Sequence, residues 1–336
     1  MKKTILNIAL LATFILPAMT TYSAEDTTAN YGKFVVHKPA KTVQSDYAQT
    51  KYPVVFAHGL FGFGSVVGID YYYQILPDLA RNGASVWNTR VSTMHSSEFR
   101  GQQTLDQVEE VLAITGAEKV HLIGHSHGGQ SVRFVAGVAP EKVASVTTIA
   151  SGNQGAKIAT LLEGVLEGSI LEKPARAIFD NLVSPVITFA SGLDSKVFPY
   201  DAKAALKALA ATESQKFNQK FPNGVPTTPC GSGDAKVGNT YYFSFMGNSA
   251  FNTPLDPSDY GLAASGLLAG ADNDGVTERC SSRFGHVVRD TYKWNHVDEI
   301  NHLLSLKARS APSAVDVYRQ HVNRLKQIEQ DLVIEQ

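Results

Sequence analysis

Apolar positions in this chain fall into two patterns. Short continuous runs, Pro53–Ala57 (PVVFA), Val120–Ile123, Ser145–Ala150 (SVTTIA) and Thr240–Gly247 (TYYFSFMG), read as strands. Between them lie stretches with helical spacing. The run QSVRFVAGV after Gly129 is one. Lys157–Leu171 is another, with apolar residues at 158, 161, 162, 165, 166 and 170. Strand-like and helical segments that alternate in this way predict an α/β chain. No repeat, low-complexity tract or Pro/Ser linker divides it, so a single domain is expected over residues 51–330, despite a length that could hold two.

The first residues stand apart. Lys2 and Lys3 precede an apolar run from Ile5 to Leu16, then small and polar residues lead to Ser23-Ala24. That run is too short to span a bilayer and has the layout of a secretory signal peptide, residues 1–24, with cleavage after Ser23 or Ala24. Residues 25–50 are expected to form a flexible N-terminal segment. Without its leader the chain carries a net charge of about −3, which gives no reason to expect nucleic acid or an anionic membrane as partner. In an exported protein the only two cysteines, Cys230 and Cys280, suit a disulfide better than a metal site or a catalytic thiol.

Candidate chemistry centres on KVHLIGHSHGG, Lys119–Gly129. Gly124-His-Ser-His-Gly128 sits between a strand and a helix, the setting of a G-x-S-x-G nucleophile elbow. The turn would lift the Ser126 hydroxyl out of the sheet. Glycines two before and two after are needed because side chains there would strike the neighbouring strand and helix. Neither flanking histidine can be the base, since residues next to the elbow serine point away from its hydroxyl. His127 can offer its backbone N–H, at a helix N-terminus, to a developing oxyanion. His125 is expected to pack or hydrogen-bond beneath the elbow. A second oxyanion donor is expected at another strand end, where YPVVFAHGLFGFG supplies the N–H of Leu60.

In the chain order of such enzymes, acid and base follow the serine. Asp274, in the Asn-Asp-Gly turn of ADNDGV, is the preferred acid and Asp272 the alternative. His296, in YKWNHVDEINHLL, is the preferred base because it precedes an expected amphipathic helix and can reach over the sheet. His302 would fall inside that helix, and His286 is a weaker alternative. Asp298 and Glu299 read as first-turn acids that suit a helix dipole. Asp298 has a second reading as a calcium ligand with Asp256 of PLDPSD, although two carboxylates fall short of the six or more oxygens that Ca²⁺ takes.

KYPVVFAHGLFGF, RGQQTLDQVEEVLAITGAEKVHLIGHSHGG, NDGVTERCSSRFG, YKWNHVDEINHLL and a terminal YRQHVNRLK resemble the secreted triacylglycerol lipases of the Pseudomonas and Burkholderia type from about Lys51 to Lys326. The resemblance implies an α/β-hydrolase fold, a mostly parallel central sheet flanked by helices, with a helical lid around residues 157–171. It implies a triad of Ser126, Asp274 and His296, oxyanion N–H groups from Leu60 and His127, and a Cys230–Cys280 disulfide. It also implies a structural Ca²⁺ on the carboxylates of Asp256 and Asp298 and the backbone oxygens of His302 and Leu306, and a membrane-anchored periplasmic foldase as partner. One departure concerns the turn after SVTTIA. Where such lipases have Thr/Ala-Pro-His-Lys/Arg-Gly, this chain has Ser151-Gly152-Asn153-Gln154-Gly155, which puts the rim of the acyl cleft and the lid hinge in question.

The expected activity is hydrolysis of long-chain acylglycerols. An esterase for short soluble esters would use the same triad. A non-catalytic binding protein of this fold would be expected to lack a triad member, and none is missing here.

Overall fold

The computed structural model describes residues 35–66, 69–166, 196–302 and 305–334. The leader and the last residues of the expected lid segment lie outside them. The strands in chain order are β1 (Val36–His37), β2 (Val54–Ala57), β3 (Ser65–Val66), β4 (Ile69–Asp70), β5 (Val86–Asn88), β6 (Val120–His125), β7 (Val143–Ile149), β8 (Lys236–Val237), β9 (Thr240–Gly247) and β10 (His286–Tyr292). The helices are α1 (Ile75–Arg81), α2 (Ser97–Thr115), α3 (His127–Val138), α4 (Lys157–Leu166), α5 (Ala202–Leu209), α6 (Ala211–Lys220), α7 (Pro257–Ala269), α8 (Arg279–Ser282) and α9 (Ala314–Ile334).

An eight-stranded sheet runs in the order β1-β5-β2-β6-β7-β9-β10, with β8 paired to β9, and β3 with β4 forms a separate ribbon. Pairs from β5 through β10 are parallel; only β1 and β8 run against their neighbours. The central strands β2, β6 and β7 are buried along their whole length. Their side chains alternate between two cores. Val54, Phe56 and Ile123 join Tyr72, Leu76 and Tyr318 on one face. Val55, Ala57 and Leu122 join Val108, Val132 and Val135 on the other. Burying each such side chain stabilises the fold by roughly 1.5–3 kcal/mol, and β2 and β6 therefore form a rigid base for the loops at their C-terminal ends.

Two expectations fail. Residues 25–34 of the segment expected to be flexible lie outside the described ones, and from Val35 onward the chain is anchored at several points. Val36 and His37 pair with Asn88 and Trp87, the His37 ring stacks on Trp87, and Ala48 is buried. Its backbone is also tied down, since Gln44 and Ala48 donate to the carbonyls of Arg81 and Asn82. Among the described residues, no amphipathic helix directly follows His296. The side-chain oxygen of Asn295 accepts from the N–H groups of Val297 and Asp298, and a single 3₁₀ turn, Asp298–Ile300, ends at Asn301 with φ of 60°. His302 therefore lies in a turn, and the next helix, α9, begins at Ala314.

The base of the sheet is closed by α9. Buried Glu329 accepts hydrogen bonds from the N–H groups of Lys51 (2.7 Å) and Tyr52 (2.9 Å), and its carboxylate lies 2.9 Å from His121 Nε2. Cys230 and Cys280 form a disulfide that closes 50 residues of chain, worth roughly 4 kcal/mol if its effect is chain entropy.

Candidate active site

Strand β6 ends at His125 and α3 begins at His127, leaving Ser126 alone at the bend. Its φ and ψ are 54° and −129°, a conformation that costs a residue other than glycine roughly 1–3 kcal/mol. The surroundings hold it there. The Ser126 N–H donates to Ile149 of β7 at 2.8 Å. A Cβ on Gly124 would lie 2.3 Å from the Gly128 carbonyl oxygen, and one on Gly128 would lie 2.2 Å from that of Ala57. No side chain fits either position, the reason expected from the pattern alone.

The loop after β2 lies directly against the elbow. A Cβ on Gly59 would come within 2.8 Å of Ser126 Cβ, so the backbone leading to Leu60 runs past the serine. Fully buried Arg100, on α2, fastens both pieces. Its Nη2 donates to the carbonyls of His58 (2.5 Å) and Gly59 (3.2 Å), while Nη1 lies 3.3 Å from His127 Nδ1. His127 Nε2 in turn meets Ser97 Oγ at 3.0 Å. Burial first, and the Arg100 charge second, hold His127 well below the usual imidazole range and bring His58 down to about 3. A neutral His127 accepting from Arg100 and donating to Ser97 has both ring nitrogens committed away from Ser126.

Past the serine, the chain brings Asp274 and His296 together. His296 Nδ1 lies 2.8 Å from Asp274 Oδ2, and the His296 N–H donates to the Asp274 carbonyl at 2.9 Å. The other carboxylate oxygen accepts from the N–H groups of Val276 (2.8 Å) and Thr277 (2.7 Å), fixing the carboxylate plane. The alternatives are placed elsewhere. Asp272 is exposed and pairs with Arg279, and His286 is exposed at the start of β10. The His302 ring stacks on Tyr73.

The His296 ring lies 4.6 Å from that of His125, centroid to centroid, above the end of β6. His125 bridges Tyr71 Oη (2.8 Å) and Glu299 Oε2 (3.2 Å), as expected of a residue beneath the elbow. Glu299 is not the solvated first-turn acid read from the sequence. It is fully buried, accepts from the Gly247 N–H, and lies 4.0 Å from His296 Nδ1. Burial, reinforced by the Asp274 charge, raises its pKa well above the ordinary carboxyl range. His125, His296 and Glu299 offer ligand atoms within 4.8 Å of one another, but each is already bonded within the protein.

Beside this site three carboxylates gather. Asp256 caps α7 by accepting from the Ser258 N–H with Oδ1, and its Oδ2 is buried without a hydrogen-bond partner. Asp298 accepts from Asn252 Nδ2 (2.7 Å) and the Asn295 N–H (3.0 Å). Its pKa rises to about 7, chiefly through burial and then through the charges of Asp259 and Asp256. Asp259 is buried on α7 and accepts from the N–H groups of Asn252 and Thr253 and from Asn295 Nδ2. The His302 N–H donates to the Val297 carbonyl, and Leu306 is partly exposed. A strong oxygen acceptor left unpaired among like charges suits a divalent cation.

The atypical turn is firmly built. Asn153 is buried, donates to Thr148 Oγ1 and to the Ser282 carbonyl, and accepts from Arg133 Nη1. Gln130 Nε2 donates to the Gly152 carbonyl at 2.9 Å. Helix α4 follows, with Ala159 buried and Leu161 and Leu162 turned outward.

Arg100, Glu299 and Asp259 escape the sequence reading. The RGQQ stretch marked Arg100 only as part of a resemblance, and nothing local shows that the two acids point inward.

A serine on a strained bend, a histidine bonded to a buried aspartate and two loop backbones converging on the serine define a serine hydrolase of the α/β-hydrolase class. Residues 52–234 match the family model described as alpha/beta hydrolase fold. The chain is 46% identical to a triacylglycerol lipase of Vibrio cholerae, an alignment covering 84% of this chain and 90% of the relative. It is 37% identical to a triacylglycerol lipase of Burkholderia plantarii, with 88% and 91% covered. Against that of Pseudomonas fragi it is 33% identical, with 84% and 98% covered. A Staphylococcus hyicus lipase of known structure superposes with a TM-score of 0.59 at 18% identity, covering 86% of this chain and all of that one, which speaks for the fold alone. The chain belongs to the bacterial triacylglycerol lipase family of the α/β-hydrolase fold.

Proposed function

We infer that this protein is a lipase that cleaves the ester bonds of long-chain triacylglycerols through an acyl-enzyme. The reading rests above all on the 2.8 Å contact between His296 and Asp274, with the His296 ring 4.6 Å from that of His125, the residue next to strained Ser126. Asp274 holds His296 with Nδ1 toward the carboxylate, which leaves Nε2 as the base. His296 takes the proton of Ser126 as its oxygen attacks the ester carbonyl. The oxyanion is met by the N–H groups of Leu60 and His127, held in place through Arg100. His296 then protonates the leaving alcohol, and water releases the fatty acid by the reverse proton path.

A Ca²⁺ ion held by Asp256 and Asp298, with the backbone oxygens of His302 and Leu306, would neutralise the buried acids. Asp298 lies two residues beyond the base, so the ion would act as a structural clamp on that loop. In this reading α4, Lys157–Leu166, belongs to the lid. The apolar run behind Lys2 and Lys3 and the disulfide support export through the periplasm, where a dedicated foldase would act. No helix among the described residues is long and apolar enough to cross a membrane.

Covalent labelling by a phosphonate ester, followed by rates across an acyl-length series, tests the activity. Labelling at Ser126 with rates rising on long-chain emulsions is expected. Labelling with activity confined to short soluble esters would make the protein an esterase, and no labelling would discard the catalytic reading.

A further inference from the structure

The chain ahead of β2 grips a segment that touches the elbow, the oxyanion loop and the turn of the base. Val36 and His37 pair with Asn88 and Trp87 on β5, and the Lys38 N–H donates to the Val86 carbonyl at 2.9 Å. Pro39 follows, which ends the strand and keeps Lys38 extended. Held in this way, Lys38 Nζ donates to Asp70 Oδ1 at 2.6 Å, with side-chain exposures of only 12 and 14%. An ion pair so enclosed is screened far less than one at the surface.

Asp70 ends the β3–β4 ribbon, where it pairs with Ser65, and leads directly into Tyr71, Tyr72 and Tyr73. Tyr71 Oη lies 2.8 Å from His125 Nδ1 and would lie 2.7 Å from a Cβ on Gly59, the residue before Leu60. Tyr72 Oη accepts from the His125 N–H (3.0 Å) and donates to the Ala57 carbonyl (2.7 Å). The Tyr73 N–H donates to the Ile300 carbonyl (3.2 Å), and Asn301 Nδ2 donates to that of Tyr73 (3.0 Å), in the turn after His296. One tripeptide therefore meets all three parts of the site. The ribbon before it has strands of two residues each, too short to hold a fixed position unaided. The Lys38–Asp70 pair supplies the anchor.

We propose that Lys38 is a positioning residue for ester hydrolysis: by holding Asp70 it fixes Tyr71–Tyr73, and through them the placement of Gly59 and His296 about Ser126. The proposal rests on the lipase reading for the reaction it serves. The ammonium touches no reacting atom. Its part is to keep the tripeptide seated while the ester carbonyl is attacked, since small displacements of catalytic groups by remote changes are costly.

The test measures kcat and KM on dissolved p-nitrophenyl butyrate in calcium buffer, with the melting temperature of each protein. Lys38→Met keeps the side-chain length and removes the charge. Its kcat should fall by about tenfold with KM within about twofold, the pattern of misplaced groups rather than of lost substrate binding. Lys38→Arg, which keeps the charge, should recover most of the loss. Asp70→Asn should lower kcat as far as Lys38→Met does, and the two together no further, because both remove one contact. Lys41→Met, at an exposed lysine of the same segment, should behave as wild type. A wild-type kcat in Lys38→Met would overturn the proposal. So would a lowered melting temperature with kcat intact below it, which would make the pair structural only, and so would losses that add in the double variant. If Lys38→Met does not fold, Asp70→Asn decides by the same kinetics. Failure of the lipase reading is distinguishable, because the wild type itself would then leave the ester uncleaved, and the proposal would fall with it.

Discussion

The Arg100 guanidinium donates to the carbonyl of His58 at 2.5 Å from a position with no solvent exposure. Burial lowers its pKa to about 10, so the group stays cationic at neutral pH. One charge thus spans the loop after β2 and the first residue of α3, the two segments proposed to supply oxyanion donors.

Arg100→Ala should therefore lower kcat on a soluble ester by roughly 10²-fold, the scale of losing an oxyanion donor, with KM little changed. Arg100→Lys, which cannot fork to two carbonyls and an imidazole, should recover only part of it. Steady-state kinetics on both variants check this; a KM effect with intact kcat would contradict the assigned role.

Ser126→Ala should reduce turnover by about 10⁴-fold or more while leaving the melting temperature near that of the wild type. His296→Ala should match it. His302→Ala should be mild, because its ring stacks on Tyr73 and takes no part in the Asp274–His296 bond. Retained activity in His296→Ala would move the base elsewhere.

Chelation should lower thermal stability and activity together, and Asp298→Asn should reproduce the effect. Without a cation, the orphaned oxygen of Asp256 and the neighbouring charges are left uncompensated. Calorimetry with and without chelator decides it: an indifferent melting temperature would remove the ion from the account.

Stability should also fall as pH drops from about 6.5 to 5. Burial depresses the imidazoles of His58, His125, His127 and His321, so each is neutral in the fold and takes a proton only on unfolding. Each favours the unfolded chain by up to about 1.4 kcal/mol per pH unit below 6.5. Buried Glu299 and, without a bound ion, Asp298 work in the opposite direction, since their raised pKa values keep them protonated in the fold where the unfolded chain would ionise them. Four against two still leaves a net loss of more than about 1 kcal/mol per pH unit in this window. Urea denaturation at several pH values measures it, and a flat profile would show that these rings protonate within the fold.

What could be read in advance follows from how local each cause is. Strands β2, β6, β7 and, but for half-buried Tyr241, β9 announce themselves because buried strands are apolar runs. The elbow is legible because its glycines answer to contacts within a few residues. Asp274 stands out through its Asn-Asp-Gly turn. The segment after His296 misled because its apolar spacing suits a helix, whereas Asn295 and the left-handed Asn301 make a tight turn of it. Glu299 and Asp259 are acids at helix-like starts, and only contacts with Gly247, Asn252 and Asn295 show that they point inward. The strand at Val36 depends likewise on Trp87, far along the chain.

Glu329 joins the last helix to Lys51 and Tyr52 across 278 and 277 positions of sequence. Contacts of such span impose a high contact order, and folds that depend on them form slowly. During synthesis the strand that begins beside Tyr52 must wait, its lower end open, until almost the whole polypeptide has emerged. The exposed intermediate that this delay creates is the state most open to aggregation and to proteases.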